Sequence, residues 1–420
     1  MKDSMFQSFI ILLSLAGLFS YVNHKFLKLP STIGLTLLAI LMAIPLALLQ
    51  VFDNLLFHEV CSLVTSLDFK TLLFDMMLSL LLFAGALHLQ VRDLSMERKS
   101  ILSFATLGVL ISTALIGFLT YGVTSLLGIG LPLGYALIFG ALISPTDPIA
   151  ALAILRDLGV KKSLESKIAG ESLFNDGVGV VVFVSLVNIF TKTGEDVGFL
   201  EILSVFAEEA LGGTIVGIFL GLVGYQFLKS VADEPKIDIM LTLVIAMGGY
   251  ALCSAIGVSG PLAMVFAALI IGEKIRSGHE FTSEGKDELN VFWEVLDEIL
   301  NAVLFVLIGL EVLILSFELN FVIASLAAIP LILLARYVTV FLLAKAFPDQ
   351  QDENPSATIK ILTWGGQRGA ISVALALSLD PSPFREFIVF ITYVVVVFSI
   401  LVQGLSIKGV AQKLKLTAGK

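Results

Sequence analysis

The sequence contains few charged residues. Asp, Glu, Lys and Arg together make up 15% of its 420 residues, against about 25% in a typical soluble domain. Hydrophobic residues account for 57%, and the mean hydropathy is +0.98. A soluble protein of this length could not cover its surface with so few charges, which excludes an ordinary cytosolic enzyme, a disordered chain and a nucleic-acid-binding protein. The composition predicts an all-α polytopic membrane protein.

Residues that usually mark a metal or catalytic centre are also scarce. The two cysteines, Cys61 and Cys253, are far apart in sequence, so neither a disulfide framework nor a zinc site is indicated. The four histidines are scattered and form no His-Glu-x-x-His motif, which argues against an intramembrane metalloprotease. We therefore expect neither enzyme activity nor a cofactor.

Long apolar stretches set the number of membrane spans. A bilayer core about 30 Å thick needs roughly 20 apolar residues per helix. This rule predicts about 13 spans, at 6–23, 31–51, 71–88, 100–126, 131–155, 165–190, 201–228, 237–256, 260–272, 288–311, 319–344, 357–379 and 385–408. The short ninth span could instead complete a broken hairpin with the eighth. We expect one membrane unit over residues 1–412, followed by a short cytoplasmic tail, 413–420.

The charges of the loops predict the orientation. With the N-terminus outside, 20 of the 26 basic residues fall on the inner side, where membrane proteins concentrate Lys and Arg. Only Lys2, Lys70, Lys192 and Arg385 fall outside. The asymmetry predicts an odd number of spans and a cytoplasmic C-terminus, in the cell (inner or plasma) membrane. The first span is interpreted as a retained helix, because its basic residues follow the apolar stretch.

The fifth span carries the run Ser-Pro-Thr-Asp-Pro at 144–148, which includes Thr146 and Asp147. Each proline lacks a backbone donor and disfavours helix at the preceding residue. The run therefore predicts a helix broken near mid-membrane, which a bilayer tolerates only where the break is buried or lines a cavity. The alternative is a simple kink in which Asp147 caps the second half-helix, and the two interpretations are compatible.

The sixth span carries Glu171, Ser172, Asn175 and Asp176. Ionisable groups inside a membrane are costly, so each is a functional candidate. Asp176 falls about 16 Å along the predicted helix, close to the bilayer centre, and no basic residue lies within a turn of it. Such a carboxylate suits the uptake and release of protons. The alternative is a purely structural buried aspartate.

The twelfth span carries a second candidate break, the run Gly-Gly-Gln-Arg-Gly-Ala at 365–370. Arg368 keeps its charge and needs a buried anion, for which Glu171 is the candidate. Alternatively, Arg368 binds carbonyls freed by a broken helix. The two broken spans are seven apart in order and so cross in opposite directions, which is typical of inverted-repeat transporters. Arg336 and Asp75 are further intramembrane charges.

These three runs, at 144–148, 170–176 and 365–370, resemble motifs of the NhaP-type sodium/proton antiporters, which are monovalent cation/proton antiporters related to the animal sodium/hydrogen exchangers. The resemblance covers essentially the whole chain. It implies an NhaA-like antiporter fold with inverted repeats and discontinuous helices at spans 5 and 12. It also implies a core bundle, about 100–190 and 319–408, that moves against dimerisation helices, about 6–88 and 201–311. A homodimer in the lipid bilayer is expected.

The resemblance also implies a role for individual residues. Asp176 resembles the aspartate that exchanges a proton for Na⁺, Li⁺ or K⁺, and Asn175 resembles its partner in electroneutral exchange. The other matching positions are Thr146, Asp147 and Ser172 at the cation site, the Glu171–Arg368 ion pair, and Arg336. The implied function is sodium/proton antiport. A main activity of K⁺/H⁺ exchange, a cation channel and a proton-coupled symporter are the alternatives.

The third span departs from the family pattern. Many members carry a glutamate there, in a stretch like Phe-Glu-Ala-Ala-Leu, whereas this sequence has Phe-Ala-Gly-Ala-Leu at 83–87. Ala84 thus takes the place of the acid. Asp75 lies nine residues earlier, too far along the helix to replace it.

Overall fold

The computed structural model describes residues 2–49, 77–193, 199–232, 234–348, 352 and 354–416. Every regular element within these residues is helical. The prediction of an all-α protein is therefore confirmed for the described part of the chain. Asp75, Cys61 and the first third of the third predicted span, 71–76, lie outside the described residues.

The described residues form eighteen α-helices. They are α1 Lys2–Val22, α2 Ser31–Leu49, α3 Leu78–Leu87, α4 Val91–Met96, α5 Arg98–Ala105, α6 Leu107–Leu126, α7 Leu133–Ile143, α8 Ile149–Asp157, α9 Lys162–Val187, α10 Phe199–Ser230, α11 Pro235–Ala255, α12 Gly260–Ser277, α13 Ser283–Glu311, α14 Leu319–Ala346, α15 Pro355–Gly365, α16 Ala370–Leu377, α17 Arg385–Phe398 and α18 Gly404–Lys413. A 3₁₀ turn, Val312–Ile314, follows α13, and a π-helical turn, Ser399–Gln403, joins α17 to α18.

Seven helical stretches among the described residues are long and apolar enough to cross a membrane. They are Phe9–Leu27, Arg98–Leu126, Lys162–Phe190, Ser204–Ser230, Pro235–Ala255, Leu319–Ala346 and Arg385–Lys413. Shorter apolar helices lie at Ser31–Ala47, Leu78–Leu87 and Leu133–Ile143. Large apolar side chains such as Phe219 and Phe227 are exposed on α10. These helices have the length and composition of a membrane-embedded protein.

Both predicted helix breaks are present. The fifth predicted span is divided, because α7 ends at Ile143 and α8 begins at Ile149. The twelfth is divided in the same way, because α15 ends at Gly365 and α16 begins at Ala370. By contrast, α9 runs without interruption through the motif of the sixth span. The prolines and glycines of the two runs thus have the effect expected from their backbone chemistry.

The chain folds as two compact units. The first consists of Met1–Leu72, Ser112–Glu165 and Ile299–Lys420, and it contains both broken helices. The second consists of Leu73–Ile111 and Ser166–Glu298, and it contains Asp176. The predicted division into a mobile core and a dimerisation domain concerns motion and assembly, and it stays a prediction.

In the second unit, small residues bring α10 and α12 into backbone contact. A Cβ added at Gly213 would lie 2.4 Å from the carbonyl oxygen of Ser259, and one added at Gly217 would lie 2.4 Å from that of Ala263. A Cβ added at Gly221, one turn further along α10, would lie 3.0 Å from the carbonyl oxygen of Ala267. Such a four-residue spacing of small side chains is the usual way for membrane helices to pack closely.

The helix α3, in the second unit, packs in an apolar environment. The Phe83 ring lies 4.7 Å from that of Trp293, and Trp293 Nε1 donates to Thr242 Oγ1 at 3.1 Å. Ala84, which follows Phe83, is 1% exposed. At the end of α3, Arg276 Nη1 donates to the carbonyl of Leu87 at 2.6 Å. Packing and one arginine therefore hold this helix in place.

Candidate functional site

The two broken helices meet each other in the first unit. The backbone N–H of Asp147, in the first break, donates to the carbonyl of Gln367, in the second, at 2.7 Å. A Cβ added at Gly369 would lie only 2.2 Å from Asp147 Oδ2. The chain therefore needs a glycine at this position for the two breaks to approach each other.

The N-terminal ends of both following half-helices lie at Asp147. Its Oδ1 accepts a hydrogen bond from the N–H of Ile149, the first residue of α8, at 3.0 Å. Its Oδ2 lies against Gly369, which leads into α16. Helix N-termini carry a partial positive charge, so one carboxylate can compensate two of them. Asp147 thus accepts the first N–H of α8, while Pro148 occupies the N-cap position of that helix.

The C-terminal end of α7 is held by Arg368. The guanidinium Nη1 donates to the carbonyls of Ser144 and Pro145, the two residues that follow the helix, the second at 3.0 Å. Arg368 is 2% exposed. The prediction that Arg368 binds carbonyls freed by a break is confirmed, and its pairing with Glu171 stays a prediction.

A second buried arginine binds the helix end at the other break. Arg336 of α14 is 4% exposed, and its Nε and Nη2 donate to the carbonyl of Leu362, in the last turn of α15, at 3.3 and 3.2 Å. The C-terminal ends of helices carry a partial negative charge, which a cation stabilises. The two breaks therefore use the same arrangement, with an arginine at each C-terminal end.

Residues that the sequence analysis missed support the second break. Ser399 Oγ accepts from the backbone N–H of Arg368 at 2.8 Å and donates to Gln403 Oε1. Gln403 Nε2 in turn donates to the carbonyl of Trp364 at 2.9 Å. Polar side chains within the largely apolar thirteenth span were the available signal for these contacts.

The motif of the sixth span lies on α9, in the second unit. Glu171, Ser172 and Asn175 are 2%, 6% and 1% exposed, respectively, and Asp176 is half-buried. Closely packed glycines flank the motif on both sides. A Cβ at Gly170 would lie 2.6 Å from Ile101 Cδ1, and one at Gly177 would lie 2.7 Å from Leu262 Cδ2. Neighbouring helices thus fix α9 closely where it carries Asp176.

The predicted ion-binding residues are distributed over both units. Thr146 and Asp147 belong to the first, and Ser172, Asn175 and Asp176 belong to the second. Thr146 is 3% exposed. The structure positions the residues within each unit, and their joint binding of one cation stays a prediction.

The sequence analysis also missed a buried ion pair between Lys167 of α9 and Glu97. Lys167 Nζ lies 3.4 Å from Glu97 Oε2, and the two side chains are 7% and 9% exposed. Counting charges by loop had placed Lys167 at the inner membrane surface. Its position four residues before Glu171, on the same helical face, was the signal that it is part of the helix.

We expect Gly369→Ala to destabilise the protein. The added methyl group would overlap Asp147 Oδ2 and Cβ, at 2.2 and 2.4 Å, and overpacking of this kind costs about 1–3 kcal/mol. Thermal unfolding in detergent measures the effect. Gly365→Ala is the matched control, since its nearest neighbour, Ile407 Cδ1, would lie at 3.6 Å, an ordinary contact. Equal melting temperatures for both variants would contradict the close approach.

Two interrupted helices that bring charged half-helix ends together are typical of secondary transporters, and this is the class that the fold and the site indicate. The comparison with known families agrees with this assignment. Residues 10–413 match the family described as "Sodium/hydrogen exchanger, transmembrane". The chain belongs to this family.

Individual relatives are similar over nearly their full length. The chain is 43% identical over 399 residues to the Na(+)/H(+) antiporter NhaP of Pseudomonas aeruginosa, covering 94% of this chain and 93% of that protein. It is 32% identical to the Na(+)/H(+) antiporter NhaH of Halobacillus aidingensis, covering 93% and 94%. The structure of the sodium proton antiporter MjNhaP1 of Methanocaldococcus jannaschii matches with a TM-score of 0.76 at 19% identity, over 98% of this chain and 99% of that one. That structure shares the fold.

Proposed function

We propose that the protein is a secondary active antiporter that exchanges a monovalent cation for a proton, with Na⁺ as the main cation. The similar proteins from Pseudomonas and Halobacillus are named Na⁺/H⁺ antiporters, which supports this choice. The observation that carries the proposal is the half-buried carboxylate of Asp176 on an apolar helix. An intramembrane carboxylate is expensive and is rarely kept without a function.

In the proposed mechanism, Asp176 binds either a proton or a cation. Because both compete for one carboxylate, uptake of one requires release of the other, and the two fluxes are coupled. The hydroxyl groups of Thr146 and Ser172 are oxygen ligands of the kind that alkali cations bind, and Asp147 supports the site. With Asn175 beside the carboxylate, we infer that one cation exchanges for one proton, so that transport is electroneutral.

We further propose alternating access by a mobile core in a protein of about 13 spans with inverted repeats of spans 1–6 and 8–13. The similar contacts at the two breaks support an internal repeat. At each break, an arginine binds carbonyls at the end of the first half-helix, and Asp147 lies at the start of the second. A homodimer in the plasma or inner membrane, with the N-terminus outside, completes the proposal.

A vesicle assay tests the function. The purified protein is reconstituted, a pH gradient is preset, and Li⁺, Na⁺ or K⁺ is added in turn at several pH values. We expect saturable collapse of the gradient by Na⁺. Preference for K⁺ would identify a K⁺/H⁺ antiporter, and cation flux without proton coupling would identify a channel. A gradient that no cation dissipates, except together with an organic solute, would contradict antiport and indicate a symporter.

A further inference from the structure

The first unit contains a second buried carboxylate, far in sequence from the motifs. Glu311, the last residue of α13, is 3% exposed, and its Oε1 has no hydrogen-bond partner among the described residues. Tyr393 of α17 is 5% exposed and lies within electrostatic range of Glu311. No described residue forms a hydrogen bond with the Tyr393 hydroxyl either. An unpartnered buried polar group costs about 1–3 kcal/mol, so two together need an explanation.

The neighbouring cation does not account for Glu311. Arg385 is near enough to act on it electrostatically, but the Arg385 side chain binds the end of α16. Its Nε donates to the carbonyl of Leu379 at 2.9 Å, and its Nη2 donates to that of Leu377 at 3.0 Å. The partial negative charge of that helix end offsets the charge of Arg385, and Arg385 does not donate to Glu311 Oε1, which has no donor among the residues that the structure describes.

The elements around the pair are mostly apolar. The turn Val312–Ile314, next to Glu311, packs against α2, which carries no ionisable side chain, and α16 carries none either. On α17, Phe387 and Phe390 pack against Phe321 at 5.1 and 5.9 Å. From α7, the ionisable Tyr135 stacks on Phe384 at 5.1 Å. Within the described part of the chain, Arg385 and Tyr393 are the ionisable groups that interact electrostatically with Glu311.

We propose that Glu311 is a second proton-binding carboxylate, loaded from the outer solution, with the Tyr393 hydroxyl as its hydrogen-bond donor when it is ionised. Glu311 takes the proton from a hydronium ion and leaves a water molecule. A proton needs no shell of ligands, whereas an alkali cation needs several oxygen ligands, and the elements around Glu311 are mostly apolar. The outer side follows from the predicted orientation, in which α13 ends at the outer face.

The position of the site relative to the breaks agrees with this role. The half-helix α16 runs from the second break to the carbonyls bound by Arg385, and its eight residues span about 12 Å. Glu311 and Tyr393 therefore belong to the half of the first unit that lies beyond the break. An effect of this site on exchange rests on the proposed antiport function. Proton binding by Glu311 is independent of that function.

Infrared difference spectroscopy tests the site without requiring transport. In an Asp176→Asn background, a pH change is expected to produce the C=O stretching band of a protonated side-chain carboxyl group. The band should disappear in Glu311→Gln and persist in Glu318→Gln, which removes the same charge from an exposed position in the adjoining loop. Tyr393→Phe should keep the band and extend it to higher pH, because the ionised form of Glu311 loses its hydrogen-bond donor. A band that survives unchanged in Glu311→Gln would overturn the proposal.

Vesicles of both orientations test the side and the consequence for transport. In right-side-out vesicles, Glu311→Gln should change the exchange rate by roughly threefold or more at the outer pH where the band titrates. The inner pH profile, measured in everted vesicles, should stay the same. A change confined to everted vesicles would overturn the outer assignment. Absence of exchange in the wild-type protein would contradict the antiport function. The infrared experiment would then still test whether Glu311 binds a proton.

Discussion

Asp176→Asn is expected to reduce cation-driven proton flux to the level of protein-free vesicles. Asparagine has nearly the same shape, but it neither binds a proton near neutral pH nor neutralises a bound cation. The variant should fold normally, because close packing at Gly170 and Gly177 fixes α9 on both sides of this position. Flux is measured in reconstituted vesicles under a preset pH gradient, and folding is measured by thermal unfolding in detergent.

Asp157→Asn is the matched control for this experiment. Asp157 is the exposed last residue of α8, so the same chemical change there should leave flux and stability unchanged. Substantial proton flux in Asp176→Asn would show that another group carries the ions. Loss of flux together with loss of folding would make the carboxylate structural, which is the alternative considered for this residue.

Arg368→Ala is expected to cause the largest loss of stability. The substitution removes the donor to the carbonyls of Ser144 and Pro145 at a position that is 2% exposed. The substitution leaves both carbonyls without this donor, and each unsatisfied buried polar group costs about 1–3 kcal/mol. The measurement is the melting temperature and the yield of folded protein in detergent.

Two further variants make that result specific. Arg368→Lys should recover part of the stability, because lysine keeps the charge but lacks the planar group that reaches two carbonyls. Arg156→Ala removes an arginine whose side chain is 61% exposed, where an ion pair contributes about 0–1 kcal/mol. If Arg368→Ala and Arg156→Ala unfold at the same temperature, Arg368 does not stabilise the first break.

The sequence was sufficient to locate the two breaks, because their causes are local. Pro145 and Pro148 cannot take part in the helical hydrogen-bond ladder wherever the segment lies, and three glycines within five residues weaken the helix at 365–369. The helix ends at Ile143 and Gly365 follow directly from these residues. The membrane class followed in the same way from composition.

The partners of the charged groups could not be deduced in this way. Whether Arg368 binds a carboxylate or freed carbonyls depends on distances between segments more than 200 residues apart. Glu311 was overlooked because it ends an apolar span, where an acid is ordinarily assumed to reach water. The structure shows it to be 3% exposed. The burial of a residue at a helix end depends on the other helices that pack around it. The sequence pattern of a single helix does not show which helices these are.

The contact between the two breaks also constrains how the protein is made. Ser144 and its bonding partner Arg368 are 224 residues apart in the chain. At a synthesis rate of about 5–20 residues per second, roughly 10–45 s pass between their emergence from the ribosome. During that interval the carbonyls of the first break are without their arginine, although hydrocarbon offers no water to satisfy them. The fifth segment must therefore wait at a hydrated or protein-lined site, and it can settle in the membrane only when the twelfth segment arrives.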